Sequence, residues 1–319
     1  MDLLTITGLS TYFYARSGVI KAVDNLSLSL TAGKVLGLVG ESGCGKTITA
    51  LSILNLVPPP GKIVSGSILF EGRDLLTLPE DELRKVRGAE ISMIFQEPMT
   101  ALNPVFTVGN QIAEVLWTHQ DLSKTAALDQ AVELLRSVGI PAPEKRVHEY
   151  PHQLSGGMRQ RVMIAMAIAC KPSLILADEP TTALDVTIQA HILELLSRIQ
   201  AEMGMAMVLV THDLGLIAER AHEVAVMYAG RIVEQATTAE LFANPLHPYT
   251  RGLMASLPKP GEDRRTRLRT IPGTVPRLSD LPAGCKFAPR CDIKTERSNV
   301  EPDLVEIRPG HLVRCWEAK

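Results

Sequence analysis

The run Gly40-Glu41-Ser42-Gly43-Cys44-Gly45-Lys46-Thr47 fits G-x-x-x-x-G-K-[ST]. Glycines at these spacings let successive backbone N–H groups curl around phosphate oxygens. A helix opening near Lys46 adds the positive end of its dipole. Lys46 then reaches the β- and γ-phosphates, and the Thr47 hydroxyl suits Mg2+. A second group of residues is Asp178-Glu179, which closes the apolar run 174–177. A parallel strand ending in two carboxylates delivers them into a ligand crevice. Asp178 suits a Mg2+ role, and Glu179 is placed to orient or deprotonate an attacking water. Asp-Glu-Pro also favours a plain strand-end turn; the phosphate loop upstream tips the balance towards chemistry. Leu154-Ser155-Gly156-Gly157-Met158 precedes a helical pattern, so Ser155 reads as a simple N-cap or as the start of a second phosphate-facing helix N-terminus.

These groups need a sheet to aim them. Residues 35–39 are wholly apolar, as are 174–177, and 207–211 reads as another buried strand, which predicts parallel strands covered on both faces. Strand-like runs at 3–6, 20–30, 65–70 and 91–95 alternate with helical patterns at 47–56, 108–118, 126–138, 155–170, 186–203 and 214–221. A hairpin-like pair, 223–228 and 231–235, turns at Gly230. The alternation predicts an α/β fold with a largely parallel sheet, and the helix-rich stretch from about 97 to 152–160 reads as an inserted subdomain. Residues 257–282 hold five prolines and the arginines Arg264, Arg265, Arg267, Arg269 and Arg277, the composition of an extended linker before a short cysteine-bearing tail.

Taken together, the ordered motifs resemble the nucleotide-binding subunits of ABC transporters. Residues 154–158 are similar to the LSGGQ signature, with Met158 where Gln is usual. Gln96 resembles the Q-loop glutamine, Ala183-Leu184-Asp185 the D-loop, and His212 the switch histidine. Asp178 and Glu179 take the Walker B aspartate and general-base places. Within Tyr12-Phe13-Tyr14, spacing points to Phe13 as the aromatic that stacks on adenine. The resemblance implies a P-loop NTPase domain over 1–250 with an N-terminal antiparallel β subdomain and a helical subdomain at about 97–160. It implies ATP held by Phe13, residues 40–47, Gln96, Asp178 and the Ser155-Gly156-Gly157 signature, with Mg2+ near Thr47, Gln96 and Asp178, and with Glu179, Gln96 and His212 in catalysis.

A narrower resemblance is to the oligopeptide/dipeptide importer branch. It rests on residues 96–104, on His247-Pro248-Tyr249-Thr250, on Pro272-Gly273-Thr274-Val275-Pro276 and on Gly284-Cys285-Lys286-Phe287-Ala288-Pro289-Arg290-Cys291. It implies a C-terminal extension over 251–319, two transmembrane permease subunits, a second related but different ATPase chain and an extracytoplasmic substrate-binding protein. The chain would then sit peripherally on the cytoplasmic face of the membrane. Peptide is the implied cargo, with nickel or another small solute as the alternative for the same motor. The branch places a third cysteine where Ser298 stands here. Four thiolates suit an iron–sulfur cluster; Cys285, Cys291 and Cys315 make three, so a cluster needs a non-cysteine ligand such as His311. The expectation is three small cysteines in a compact tail and no cluster.

Composition narrows the alternatives. Apolar residues make up 45% and charged residues 21%, which excludes a disordered chain or a coiled coil. A net charge of −2 and 4% aromatics argue against nucleic-acid binding, and so against an ABC ATPase that works on nucleic acid. The longest apolar run spans nine residues, 162–170, whereas a membrane helix needs about 18 or more. The first residues carry neither a basic segment nor a long apolar one, so no signal peptide is expected.

Overall fold

A computed structural model describes residues 2–16, 18–257 and 270–318. They form two compact units, one from residues 1–76 and 209–319, the other from 77–208. The strands among the described residues are β1 (Asp2–Ala15), β2 (Gly18–Thr31), β3 (Val35–Val39), β4 (Gly61–Phe70), β5 (Arg73–Asp74), β6 (Ile91–Ile94), β7 (Leu174–Asp178), β8 (Ala206–Thr211), β9 (Glu223–Tyr228), β10 (Arg231–Thr237), β11 (Val305–Arg308) and β12 (His311–Val313). Pro258, Pro260, Arg264, Arg265, Arg267 and Arg269 of the expected linker lie outside the described residues.

The first unit carries an antiparallel sheet ordered β2-β1-β4-β5. Its β1 runs far beyond the short strand expected at 3–6. The pairing of β1 with β2 shifts register between Ile6 and Leu9, where Gly8 and Asn25 adopt left-handed backbone at φ 59° and 54°. Such bulges break the period of two that marks a strand in sequence. The same unit holds the strand run β11-β12-β10-β9-β3, in which β3 and β9 are parallel and the others antiparallel. All five residues of β3 are buried, as its unbroken apolar run requires. The helix Leu214–Arg220 packs over β3 because residue 37 is glycine: a Cβ there would stand 2.6 Å from Ile217 Cδ1. The hairpin expected at 223–235 forms as β9 and β10, turning at Gly230 with φ 83°.

The described part of the C-terminal extension packs within this first unit and carries two strands. β11 and β12 form a hairpin on the edge of β10. Its anchor is a fully buried carboxylate. Glu234 accepts from His311 Nε2 at 2.7 Å and from the backbone N–H groups of Leu246 (2.7 Å) and His247 (3.0 Å). A buried charge persists only when it is satisfied in this way.

In the second unit β6 and β7 pair in parallel. The helices Val108–His119, Lys124–Ser137, Gly156–Ile168 and Val186–Met203 lie close to the expected spans. Thr107, Ser123, Ser155 and Asp185 cap them, each side chain accepting from a backbone N–H in the first turn. The chain passes from this unit to the first within β8.

Candidate functional site

In the first unit, residues 40–47 form a tight loop between β3 and the helix Lys46–Ile53. Two glycines are sterically required. A Cβ on Gly40 would lie 2.2 Å from the Met227 carbonyl oxygen, and one on Gly45, at φ 110°, would lie 2.2 Å from that of Ala22. The loop is therefore wedged between β9 and β2. Lys46 is 5% exposed, and its Nζ donates to the carbonyls of Gly40 (2.8 Å) and Glu41 (3.2 Å). Cys44 is buried, which pushes its thiol up, so it acts as packing rather than as a nucleophile. Ser42, Gly43 and Thr47 are exposed on the rim of the loop.

The three aromatics left open by the sequence occupy different settings. The Tyr12 hydroxyl donates to Asp24 Oδ1 at 2.7 Å, and Lys21 Nζ lies 5.2 Å from its ring centroid. Asp24 also accepts from Arg231, at 2.6 and 3.1 Å. Tyr12 is thus committed to structure. Phe13, half-buried, lies against Gly61, whose Cβ would come within 2.7 Å of the ring. Tyr14 is exposed. His212, also exposed, follows the end of β8; Asp213 beside it caps the helix Leu214–Arg220.

The second unit brings together a different set. Asp178, 2% exposed, ends β7. Glu179 follows in left-handed backbone at φ 43°, which turns its side chain out of the strand line. Its Oε2 accepts from Gln96 Nε2 at 3.1 Å and from Thr182 Oγ1 at 2.9 Å. Gln96 and Glu179 are 83 residues apart in sequence, and the fold brings their side chains together. Ser155 caps the helix Gly156–Ile168 by accepting from Met158 N, and Gly157 lies close to Ile188, with 2.9 Å between its ideal Cβ and Ile188 Cγ2. Asp185 caps the helix Val186–Met203.

Reading the sequence missed three residues. Thr182 sits beside the carboxylate pair, three residues after Glu179, and a hydroxyl there was its only signal. Tyr249 and Arg290 were noticed only as parts of branch motifs. In the structure the Tyr249 hydroxyl accepts from the Glu41 N–H at 2.9 Å, and Arg290 makes a two-pronged ion pair with the Glu41 carboxylate at 2.7 and 3.1 Å.

The cysteine tail offers three thiols, with Ser298 where a fourth would be needed. Cys285, Cys291 and Cys315 are free and half-buried, and burial pushes all three thiols up, against the thiolate form. Ser298 uses its hydroxyl to accept from Thr295 N at 3.2 Å, and its carbonyl accepts from Cys285 N at 2.9 Å. His311, the nearest imidazole, is committed to Glu234. Among the described residues no three His, Cys, Asp or Glu side chains are grouped to hold a metal.

His247 caps the helix Pro248–Ala255, its Nδ1 accepting from Tyr249 N at 3.0 Å. Burial, with the charges of Arg251 and Arg314, pushes its pKa from 6.5 down to about 3. Below about pH 6.5 the unfolded chain takes up a proton that the folded chain refuses, so stability is lost as pH falls towards 3. Between pH 6.5 and 5 the expected loss is about 1.5 kcal/mol. Urea unfolding of the wild type and of His247→Asn, which keeps a capping acceptor, checks this. The variant should lose that part of the acid slope, and an unchanged slope would reject the assignment.

Comparison with known proteins shows the family. The ABC transporter family model matches residues 23–182, and that of the oligopeptide/dipeptide transporter C-terminal region matches 233–297. The dipeptide transport ATP-binding protein of Haemophilus influenzae is 52% identical over 316 residues, covering 99% of this chain and 95% of its own. Its Escherichia coli namesake is 49% identical over 316 residues, covering 99% and 96%. A solved dimeric ATP-binding cassette bound to ADP and Pi is 28% identical, with a TM-score of 0.66, covering 74% of this chain and 98% of its own. No helix among the described residues is long and apolar enough to cross a membrane. The chain belongs to the ABC transporter family, as an ATP-hydrolysing ATP-binding subunit with the P-loop NTPase fold.

Proposed function

We propose that this chain is the ATPase subunit of a peptide importer, coupling ATP binding and hydrolysis to uptake through separate membrane subunits. One observation carries the reading: a single chain joins a phosphate loop whose lysine is already held in place to a C-terminal region of the oligopeptide/dipeptide transporter type. The relatives named for dipeptide transport support the cargo class.

In this reading Lys46 leaves the carbonyls of Gly40 and Glu41 for the β- and γ-phosphates, which backbone N–H groups of the loop also bind. Phe13 stacks on adenine. Glu179 accepts the proton of the attacking water, while Gln96 and Thr182 hold its carboxylate in one orientation. His212 donates towards the γ-phosphate. Thr47, Gln96 and Asp178 offer a hydroxyl, an amide oxygen and a carboxylate, an all-oxygen set of the kind a hard cation takes. Mg2+ held there would neutralise charge developing on the phosphate oxygens. The helix N-terminus at Ser155-Gly156-Gly157 serves the nucleotide of a second cassette, so two cassettes act head to tail. The second cassette is a related but different chain. Two permease subunits and an extracytoplasmic binding protein complete the transporter, and this chain works from the cytoplasmic face of the membrane.

The test compares ATPase activity of the chain alone with that of the chain co-expressed with its permease and cassette subunits, adding binding protein with peptides or with nickel. Activity that appears in the complex and rises with peptide is the expected result. Full activity in the isolated chain, with no complex recovered from membranes, would overturn the transporter reading. Stimulation by nickel alone would overturn the cargo.

A further inference from the structure

The polar groups of Glu41 are divided between the phosphate loop and the C-terminal extension. Its carbonyl accepts from Lys46 Nζ at 3.2 Å. Its N–H donates to the Tyr249 hydroxyl at 2.9 Å, 208 residues away. Its carboxylate takes Nη1 and Nη2 of Arg290, 249 residues away. Arg290 is held in turn. Its Nε donates to the Pro272 carbonyl at 3.0 Å, and its side chain is 4% exposed. The rings of Tyr228 and Phe287 lie about it, with centroids 5.9 and 6.0 Å from its guanidinium carbon. Tyr249 is fully buried, packed against Tyr228 at 4.7 Å and Phe287 at 5.5 Å between centroids. A planar fork on a carboxylate, desolvated on one side, fixes orientation as well as distance. Tyr249, just before the extension, and Arg290 within it therefore grip, from both ends, one of the two residues whose carbonyls hold the phosphate-loop lysine.

We propose that Tyr249 and Arg290 are positioning residues for the phosphates of ATP, acting through Glu41. They hold the 40–41 peptide still, so that Lys46 exchanges its two carbonyls for phosphate oxygens without the loop first having to reorder. This rests on the ATP-binding role of residues 40–47. A loop that must be ordered on binding loses affinity by the cost of that ordering. The effect falls on binding, because neither residue reaches the reacting atoms.

Two variants keep the packing and remove only the grip. Tyr249→Phe deletes the hydroxyl and keeps the ring; Arg290→Lys keeps charge and loses the fork. In the assembled transporter each should raise KM for ATP about 5- to 10-fold with kcat within about twofold, which is about 1–1.4 kcal/mol. Binding of a fluorescent ATP analogue to the purified chain should weaken by the same factor. Arg308→Ala, which breaks the exposed pair with Glu240 at 3.1 Å in the same extension, should leave KM unchanged. Unchanged KM in both variants, with wild type binding ATP and Lys46→Ala not, would overturn the proposal and leave the nucleotide site standing. A comparable rise in Arg308→Ala, tracking a fall in melting temperature, would reduce Tyr249 and Arg290 to general stabilisers and also overturn it. Failure of the wild type to bind ATP would remove the nucleotide site itself, and the proposal with it.

Discussion

Glu179→Gln is expected to bind ATP with near wild-type affinity and to lose turnover in the assembled transporter by about 10²–10⁴-fold, the usual contribution of a positioned general base. Glutamine matches glutamate in length and keeps an oxygen for Gln96 and Thr182, which now meet Glu179 Oε2 at 3.1 and 2.9 Å. The geometry survives while the proton acceptor is lost. Because the loss falls on chemistry, the nucleotide-bound pair of cassettes should accumulate. Size-exclusion chromatography with ATP and single-turnover assays would show both effects. Normal turnover in the complex would refute the general-base role.

Lys46→Ala should weaken ATP binding by about 10²-fold or more, since charge-assisted hydrogen bonds to phosphate contribute about 1.5–3 kcal/mol each. The fold should hardly notice. The two carbonyls released are those of Gly40 and Glu41, and the latter still accepts from Cys44 N at 3.3 Å. Equilibrium binding at matched melting temperature is the measurement. Retained affinity would mean that the loop holds phosphate through its backbone alone.

How much of this was legible in the sequence follows from how local each signal is. The phosphate loop is eight consecutive residues between an apolar strand and a helix, so both motif and context lie in one window. β3 is an unbroken apolar run, β7 and β8 are apolar up to their last residues, Asp178 and Thr211, and Ser155 and Asp185 stand where helix caps stand. The family resemblance gives Gln96 and Glu179 separate roles, and their hydrogen bond appears only in the structure, since no local pattern links residues so far apart. The bulges at Gly8 and Asn25 hid the true length of β1, because they interrupt the alternation by which a strand is read. Spacing points to Phe13 among Tyr12, Phe13 and Tyr14, but the partners that set them apart, Asp24 at Tyr12 and Gly61 at Phe13, have no local signal. The edge hairpin β11–β12 and the grip on Glu41 depend on partners more than 70 and 200 residues away in sequence.

Val35 N–H, at the start of β3, donates to His222 Nδ1 at 3.0 Å, a partner 187 residues further along the chain. The strand that feeds the phosphate loop therefore waits for its parallel neighbour β9 during synthesis. At about 5–20 residues per second the ribosome needs roughly 10–40 s to make that interval. Through that time five apolar residues have no parallel neighbour, while 77–208 emerges with β6 and β7 able to pair between themselves. The β2-β1-β4-β5 sheet and then the second unit can thus mature before β3 gains β9, and the nucleotide loop, though encoded early, is finished late.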